Sequence, residues 1–235
     1  MNKILEVDLT HRTTHEKALN PGIVRSFIGG RGLGTWILWD RANPMMDPLS
    51  PKSPLIFLTG PLTGIAPGGA HTCVIFKSPL TEITLGRSIT GAQWGPELKS
   101  AGYDGLIIEG RADSPVYLYI NNSDVEIRDA NHLWGKTTIE TDELLKESLD
   151  DACFRTLCIG PAGENLVKYA GILQEYHRAA GRGGGGCVMG SKNLKAISVR
   201  GSNNIPIEKP DEFFKIRSEV EVKLKSARES TRRGY

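Results

Sequence analysis

Apolar and polar residues alternate with a period of two in several short stretches of the chain. In KILEVDL, Leu5, Val7 and Leu9 alternate with positions that include Glu6 and Asp8, which predicts a half-buried strand. PLIFLTG and TLCIG are short apolar runs that end in Gly-Pro turns and predict buried strands. The segment 104–132 predicts a three-stranded meander that ends in a VYLYI/VEI hairpin, and LKAISVRG predicts one more strand.

Helical spacing marks three further segments. TWILWDRA, after Thr35, is apolar at helical spacing, and TTIETDELLKESL predicts an amphipathic helix with Thr137 or Thr138 as its N-cap. After Gly201 a polar, proline-bearing stretch leads to DEFFKIRSEVEVKLKSARES, which has apolar residues for one helix face. We therefore predict one domain over residues 1–207, followed over 208–235 by a linker and the first helix of a further helical domain. Strands with inserted helices, rather than regular alternation, favour an α+β fold with largely antiparallel sheets.

Similar short words, most of them containing glycine, recur along the chain. GGRGLG at 29–34 is similar to AGRGGG at 180–185, LTGPLTG to CIGPAGE, and CVIFKSPL to CVMGSKNL. The order of these words differs between the two halves, so both an internal duplication and chance similarity stay open. A duplication would place two similar loops against a two-part ligand.

Composition and charge exclude several classes of function. The 235 residues are 39% hydrophobic, which is enough for a sizeable core, and 29 basic against 27 acidic residues give a net charge of +2. This balance argues against a nucleic-acid or membrane partner. The N-terminus lacks the apolar run of a signal peptide, so we expect a cytoplasmic protein. The four cysteines lack C-x-x-C spacing, so we expect buried thiols rather than disulfide or metal ligands: Cys73, Cys153, Cys158 and Cys187.

Glycine-rich loops beside basic residues carry the candidate chemistry. In HRAAGRGGGG, Arg178 and Arg182 precede the run Gly183–Gly186, whose bare amides can approach one ligand closely. Guanidinium groups match phosphate oxygens, so the stretch predicts an anion site, with a mobile turn and solvated arginines as the alternative. Similar loops are GGRGLG, GPLTGIAPGGAH, SITGAQWG and GPAGEN, and none completes a nucleotide-binding fingerprint.

These words together resemble the N-terminal domain of the aldehyde:ferredoxin oxidoreductase family of tungsten-pterin enzymes. The similarity covers residues 3–207 in the family's order and includes FIGGRGLG, GPELKSAGYDGLIIEG, IGPAGENLVKYAGI and HRAAGRGGGGCVMGSKNLKAI. It implies a base domain for a tungsten or molybdenum bis-pterin with magnesium, near a 4Fe-4S cluster whose ligands are not in this chain. The implied activity is oxidation of aldehydes to carboxylic acids with ferredoxin or an electron-transfer subunit as acceptor. A related branch reduces aromatic acyl thioesters such as benzoyl-CoA.

The resemblance also implies site residues. The cofactor-binding positions that it assigns are His71, Thr90, Gly91, Arg178, Ala179, Gly181 and Arg182, with the Ala179 backbone carbonyl as a magnesium ligand. His71 stands where many relatives have arginine, so a purely structural histidine stays open, and Ile89 stands where asparagine is common. Because no acid lies between His177 and Lys195, the two arginines require a negative charge from outside this loop.

The resemblance implies no catalytic residue in this chain. His132, Trp134 and Glu164 belong to family words, and we expect capping, turn and packing roles for them. The implied partners are C-terminal helical domains beyond this stretch, and apolar surface left uncovered without them favours a homo-oligomer. The alternative to an enzyme part is a non-catalytic module that binds pterin phosphate or a partner subunit.

Overall fold

Twelve strands form two mixed six-stranded sheets within residues 3–232, the part of the chain that the computed structural model describes, with side chains through residue 227. The first sheet contains β1 Lys3–Asp8, β2 Thr13–Ala18, β3 Leu55–Thr59, β4 His71–Lys77, β5 Leu85–Gly91 and β6 Gly105–Glu109. The second contains β7 Val116–Asn121, β8 Asp124–Asp129, β9 Arg155–Cys158, β10 Ile172–Gln174, β11 Arg178–Ala180 and β12 Leu194–Arg200. The helices are α1 Pro21–Phe27, α2 Gly30–Arg41, α3 Trp94–Ser100, α4 Thr138–Ser148, α5 Pro161–Glu164, α6 Gly185–Ser191 and α7 Pro210–Arg232.

The two sheets have the same topology. The strand order is β2-β1-β6-β3-β4-β5 in the first sheet and β8-β7-β12-β9-β10-β11 in the second. Each strand of the first sheet therefore corresponds to the strand of the second sheet whose number is six higher, β1 to β7 and so on. In each sheet one central pair is parallel, β1 with β6 and β7 with β12, and the remaining pairs are antiparallel. The predicted α+β class with largely antiparallel sheets is confirmed, and the repeated topology supports an internal duplication.

The repeated topology also shows which similar words are structurally equivalent. GPLTG follows β3 and GPAGE follows β9, so this pair occupies corresponding positions. GGRGLG lies at the start of α2, whereas AGRGGG connects β11 to α6, and the two cysteine-containing words lie in β4 and α6. Those two pairings were wrong, because similar short words arise for different local reasons.

The main core lies between the two sheets, where α3 and α6 also contribute. Trp94 is fully buried at its centre, with its ring 5.7 Å from that of Phe57 and its indole Nε1 donating to the Ile197 carbonyl at 3.0 Å. Two smaller clusters cover the outer faces: α1 and α2 pack on the first sheet and α4 on the second. Each large apolar side chain buried here contributes roughly 1.5–3 kcal/mol.

Most predicted elements are confirmed, with two corrections. The strands β1, β3, β9 and β12, the β7–β8 hairpin and the helices α4 and α7 lie where the patterns predicted them. Thr137 caps α4 in a capping box, since its hydroxyl accepts from the Glu140 amide at 3.2 Å and the Glu140 carboxylate accepts from the Thr137 amide at 2.8 Å. The predicted meander was wrong, because β6 lies in the first sheet between β1 and β3. Helix α2 begins at Gly30 rather than after Thr35, so the glycine word is helical.

The long helix α7 follows a connecting segment, 201–209, that is anchored on the sheet domain. The Ile205 side chain lies against Gly64, and the Asn203 amide donates to the Ser100 carbonyl at 3.0 Å. Along α7, Phe214, Ile216 and other apolar residues are largely exposed. A domain boundary near residue 207 stays a prediction. Within the described residues, no helix has the length and apolar character needed to cross a membrane.

Candidate functional site

The edges of the two sheets meet along β5 and β11. These are corresponding end strands, and the Arg182 amide, just after β11, donates to the Ser88 hydroxyl of β5 at 3.1 Å. Residues of β5 alternate between buried and exposed, so Arg87 and Ile89 face outward while Ser88 is buried. A cleft opens on either side of Ile89, and Ile89 lines both.

The first cleft, which we call the His71 cleft, is open to solvent and has a volume of about 320 Å³. Its lining comprises Gly30, Arg31, Leu58, Gly60, Pro61, Leu62, Thr63, Gly69, His71, Cys73 and Ile89. His71 begins β4 and pairs with Gly91 of β5, and its ring lies so close that a Cβ on Gly91 would be 3.4 Å from Nε2. Arg31 reaches the same cleft from the first turn of α2 and is exposed.

The second cleft, which we call the Arg182 cleft, is open to solvent and has a volume of about 430 Å³. Its lining comprises Arg87, Ser88, Ile89, Ala179, Gly181 and Arg182. Gly181 presents open backbone here, since among the described residues an added Cβ would meet only the Ala179 side chain, at 3.6 Å. The words GGRGLG, GPLTG, SITGAQWG and HRAAGRGG therefore converge on two adjoining clefts, as a shared ligand requires.

The arginines of the clefts lack carboxylate partners within the described part of the chain. Among the described side chains, no Asp or Glu forms an ion pair with Arg31, Arg87 or Arg182, whereas Arg200 elsewhere holds Asp151 at 3.2 Å. The three exposed guanidinium groups lie around Ile89, which lines both clefts, and they repel one another. An anion bound in the clefts would relieve that repulsion.

The positive charges of Arg87 and Arg31 also act on Cys73, which lines the His71 cleft. Burial raises the pKa of its thiol to about 11, while the positive charges of Arg87 and Arg31 act in the opposite direction. The desolvation penalty wins, so Cys73 is a protonated, inert wall of the His71 cleft at neutral pH. Cys158 and Cys187 are buried as expected, but Cys153 is exposed, which corrects the expectation for that residue.

Four of the seven predicted site residues line the clefts: His71, Ala179, Gly181 and Arg182. Gly91 pairs with His71 across β4 and β5 but lines neither cleft. Thr90 is buried opposite Thr72 in the β4–β5 ladder and its hydroxyl accepts from Gln174 Nε2 at 2.8 Å, so its side chain is engaged inside the protein and lines neither cleft. Arg178 is exposed but does not line either cleft, because strand alternation sets it on the opposite side of β11 from Ala179.

The glycine run Gly183–Gly186 has a packing role that the sequence reasoning missed. Gly184 to Gly186 are buried, and a Cβ on Gly184 would lie 2.0 Å from the Lys168 carbonyl oxygen. A Cβ on Gly186 would lie 2.3 Å from the Gly171 carbonyl oxygen, and the Gly186 amide already donates to Ala170 at 2.8 Å. The expectation that these amides face a ligand was wrong for Gly186, and the buried part of the run, Gly184 to Gly186, lets α6 approach neighbouring backbone.

Glu164 has the structural role that was expected of it. Its carboxylate pairs with the fully buried Lys195 and accepts from the Gly135 amide at 2.8 Å. Among the described residues, no group of three His, Cys, Asp or Glu side chains could hold a metal ion.

Arg31 and Arg87 were missed by the sequence reasoning. The signal for Arg87 was available in LGRSITG, where a period of two sets it on the same face as Ile89. Arg31 carried no such signal, because its place depends on how α2 packs against the first sheet.

Comparisons with known proteins agree with this architecture. Residues 4–201 match the family described as aldehyde ferredoxin oxidoreductase, N-terminal domain. This chain belongs to that family.

Two curated relatives illustrate the family's range. The chain is 49% identical over 224 residues to the tungsten-containing aldehyde ferredoxin oxidoreductase of Pyrococcus abyssi, which covers 95% of this chain and 37% of the relative. It is 45% identical to the aliphatic sulfonate oxidoreductase, WOR-like subunit, of Pyrococcus furiosus, over 87% of this chain and 35% of that protein. The chain thus spans little more than a third of the length of these relatives.

A solved structure shares the fold. The active site complex BamBC of benzoyl coenzyme A reductase, in complex with 1,5-dienoyl-CoA, superposes with a TM-score of 0.94 at 44% identity, over 97% of this chain and 35% of that one.

Proposed function

We propose that the two clefts hold the phosphate-bearing ends of a tungsten or molybdenum bis-pterin cofactor, with its magnesium. The observation that carries this proposal is the convergence of Arg31, Arg87 and Arg182 on Ile89 without carboxylate partners among the described residues. Open backbone at Gly181 gives a flat polar ligand close access, so the residues present fit such a group. The bound metal centre supplies the redox chemistry, and this domain binds and orients it.

Each cleft offers a distinct set of contacts. In the Arg182 cleft, Arg182 and Arg87 supply forked donors to phosphate, and the Ala179 carbonyl is the candidate oxygen ligand for magnesium. In the His71 cleft, Arg31 takes the anion-binding role, and the His71 ring contributes a donor where relatives have arginine. Thr90 and Gly91 contribute through backbone alone, and Arg178 joins only as a long-range positive charge.

The proposed activity of the complete protein is oxidation of an aldehyde to the carboxylic acid, with ferredoxin or an electron-transfer subunit as electron acceptor. Support comes from the tungsten-containing aldehyde ferredoxin oxidoreductase relative. The 4Fe-4S ligands and the substrate-facing side chains then lie in the two thirds of the relatives that this stretch does not cover. We infer a cytoplasmic, homo-oligomeric enzyme.

A second candidate activity is reduction of an aromatic acyl thioester. The observation that favours it is the TM-score of 0.94 with the benzoyl coenzyme A reductase complex, whose sequence identity is close to that of the aldehyde-oxidising relatives. Assays of the complete protein with an aldehyde and with benzoyl-CoA separate the two. A non-catalytic module would bind pterin but turn over neither substrate.

Arg182→Ala in the complete protein, purified without oxygen, tests the binding proposal. We expect pterin and tungsten content to fall at least about tenfold, as loss of a charge-assisted phosphate contact implies. The apo-protein's unfolding free energy should stay within about 1 kcal/mol of the parent, because Arg182 is exposed. The matched control is Arg111→Ala. Arg111 is an exposed arginine that follows the C-terminal end of β6, whereas the N-terminal end of β6 pairs with Leu58 of the His71 cleft. This variant should keep the full cofactor content. Full metal content in the Arg182 variant contradicts the proposal.

A further inference from the structure

The turn that connects β5 to α3, residues 91–94, has a strained backbone. Ala92 has a φ of +136°, a region that side-chain-bearing residues rarely adopt. The Ala92 amide donates to the Ala70 carbonyl at 3.2 Å, beside His71. Such a conformation persists only when surrounding contacts hold it, so the contacts on this turn are informative.

Gln174, from the second sheet, makes the first set of contacts. The residue is 2% exposed, and its side chain reaches across from the end of β10. Its Oε1 accepts from the Trp94 amide at 3.3 Å, while Nε2 donates to the Thr90 hydroxyl at 2.8 Å and to the Gly91 carbonyl at 3.3 Å. One buried amide thus fixes both ends of the strained turn.

Glu175, the next residue, makes the second contact. Its Oε1 accepts from the Gln93 amide at 3.0 Å, and Arg155 Nε lies 4.0 Å from the same oxygen. Glu175 and Tyr176 themselves have positive φ values, 45° and 65°, in the short β10–β11 connection. Backbone strain on both sides of this contact indicates that its geometry is specified rather than incidental.

The corresponding turn of the other half is held in the same manner. In residues 181–184, the Gly183 carbonyl accepts from the Ser78 hydroxyl at 2.9 Å and the Arg182 amide donates to the Ser88 hydroxyl at 3.1 Å. Ser78 follows β4, as Glu175 follows the corresponding β10. Each half of the duplicated fold therefore fixes the turn of the other half.

We propose that Gln174 and Glu175 are positioning residues that hold the turn 91–94 in the conformation that accepts the cofactor beside His71. They do not line the clefts, and they act through the backbone of Gly91 to Trp94. This inference rests on the proposed function. It predicts that cofactor loading at the first half depends on contacts supplied by the second.

The test measures pterin and tungsten content of the complete protein, with the unfolding midpoint of the apo-protein as a second readout. Glu175→Ala should lower the content about fivefold, the factor that corresponds to one hydrogen bond. Glu175→Gln keeps an acceptor for the Gln93 amide and should load like the parent. Adding Ala92→Gly to Glu175→Ala should restore loading, because glycine adopts the required φ without strain.

Gln174→Met, which keeps length and removes all three hydrogen bonds, should lose more cofactor than Glu175→Ala. If that variant fails to fold, the Glu175 series decides alone. Full loading of Glu175→Ala, or failure of either Glu175→Gln or Ala92→Gly to restore it, overturns the inference. Arg182→Ala is measured in parallel: retained cofactor there contradicts the proposed function, whereas its loss with full loading of Glu175→Ala contradicts the positioning role alone.

Discussion

Lys195 and Glu164 form an ion pair from which solvent is almost completely excluded, since their side chains are 0% and 3% exposed. Lys195 Nζ also donates to the Lys136 carbonyl at 2.8 Å, and the second Glu164 oxygen accepts from the Gly135 amide at 2.8 Å. The pair ties β12 to α5 and to the segment before α4. A charge buried here is stable only while its partner is present.

Removing one partner of this pair should therefore be costly. We expect Glu164→Ala to lower the free energy of unfolding by about 3–5 kcal/mol, because Lys195 would keep a buried, unpaired charge. Urea unfolding followed by tryptophan fluorescence measures this. Glu82→Ala, which breaks the exposed pair with Lys168, is the control and should leave the midpoint unchanged. Equal effects of the two variants would refute the buried-charge argument.

Lys192 provides a pH-dependent prediction. It is fully buried and donates to the Pro51 carbonyl at 3.0 Å and the Gly110 carbonyl at 3.3 Å, and burial lowers its pKa from 10.5 to about 8. Below pH 8 both the folded and unfolded states carry the charge, so the full burial penalty applies. Between pH 8 and 10.5 the unfolded state binds more protons, so this residue makes stability rise with pH, by roughly 3 kcal/mol in total.

The Lys192→Met variant isolates that contribution. The difference in unfolding free energy between the parent and this variant should shift in the parent's favour as pH rises from 8 to 10.5, and should be constant below pH 8. Urea titrations at closely spaced pH values measure the difference. A difference that does not change across this window means that the lysine retains its ordinary pKa in the folded protein.

Alanine substitutions at two glycines with similar positive φ distinguish the cost of backbone strain from the cost of a steric clash. Gly184 has a φ of +89° and a Cβ site 2.0 Å from the Lys168 carbonyl oxygen. Gly135 has a φ of +86°, and apart from its chain neighbours no described residue has an atom within 4 Å of its Cβ site. Gly135→Ala should cost about 1 kcal/mol of stability from backbone strain alone. Gly184→Ala should cost about 3 kcal/mol, because α6 must also move. Thermal or urea unfolding compares them, and similar losses would contradict the packing role of the glycine run.

The two arginines that sequence reasoning missed should also affect cofactor content. Arg87→Ala should reduce pterin and tungsten content in the complete protein several-fold, and Arg31→Ala should do the same, because each removes a guanidinium group from a cleft. Both are exposed, so the apo-protein should unfold within about 1 kcal/mol of the parent. Metal analysis against the Arg111→Ala control measures the loss. Unchanged content in both variants would confine the anion contact to Arg182.

The sequence alone determined the local elements and the family. A period of two in KILEVDL defined β1, and the Thr137-Thr138 pair located the start of α4 to within one residue. Glycine words in order identified the family, because these signals depend on neighbouring residues. It also indicated that the arginine-bearing loops meet at a common site.

Only the tertiary structure decided which strands are neighbours and which glycines face a ligand. Strand β6 pairs with β1 about 100 residues away, and its apolar run fits either sheet equally well, so no local pattern separates a meander from the observed crossover. Likewise, Gly181 opens on a cleft while Gly184 lies against Lys168, although both belong to one glycine-rich stretch. The difference is made by backbone that arrives from elsewhere in the chain, and steric fit between distant segments is not written in either segment by itself.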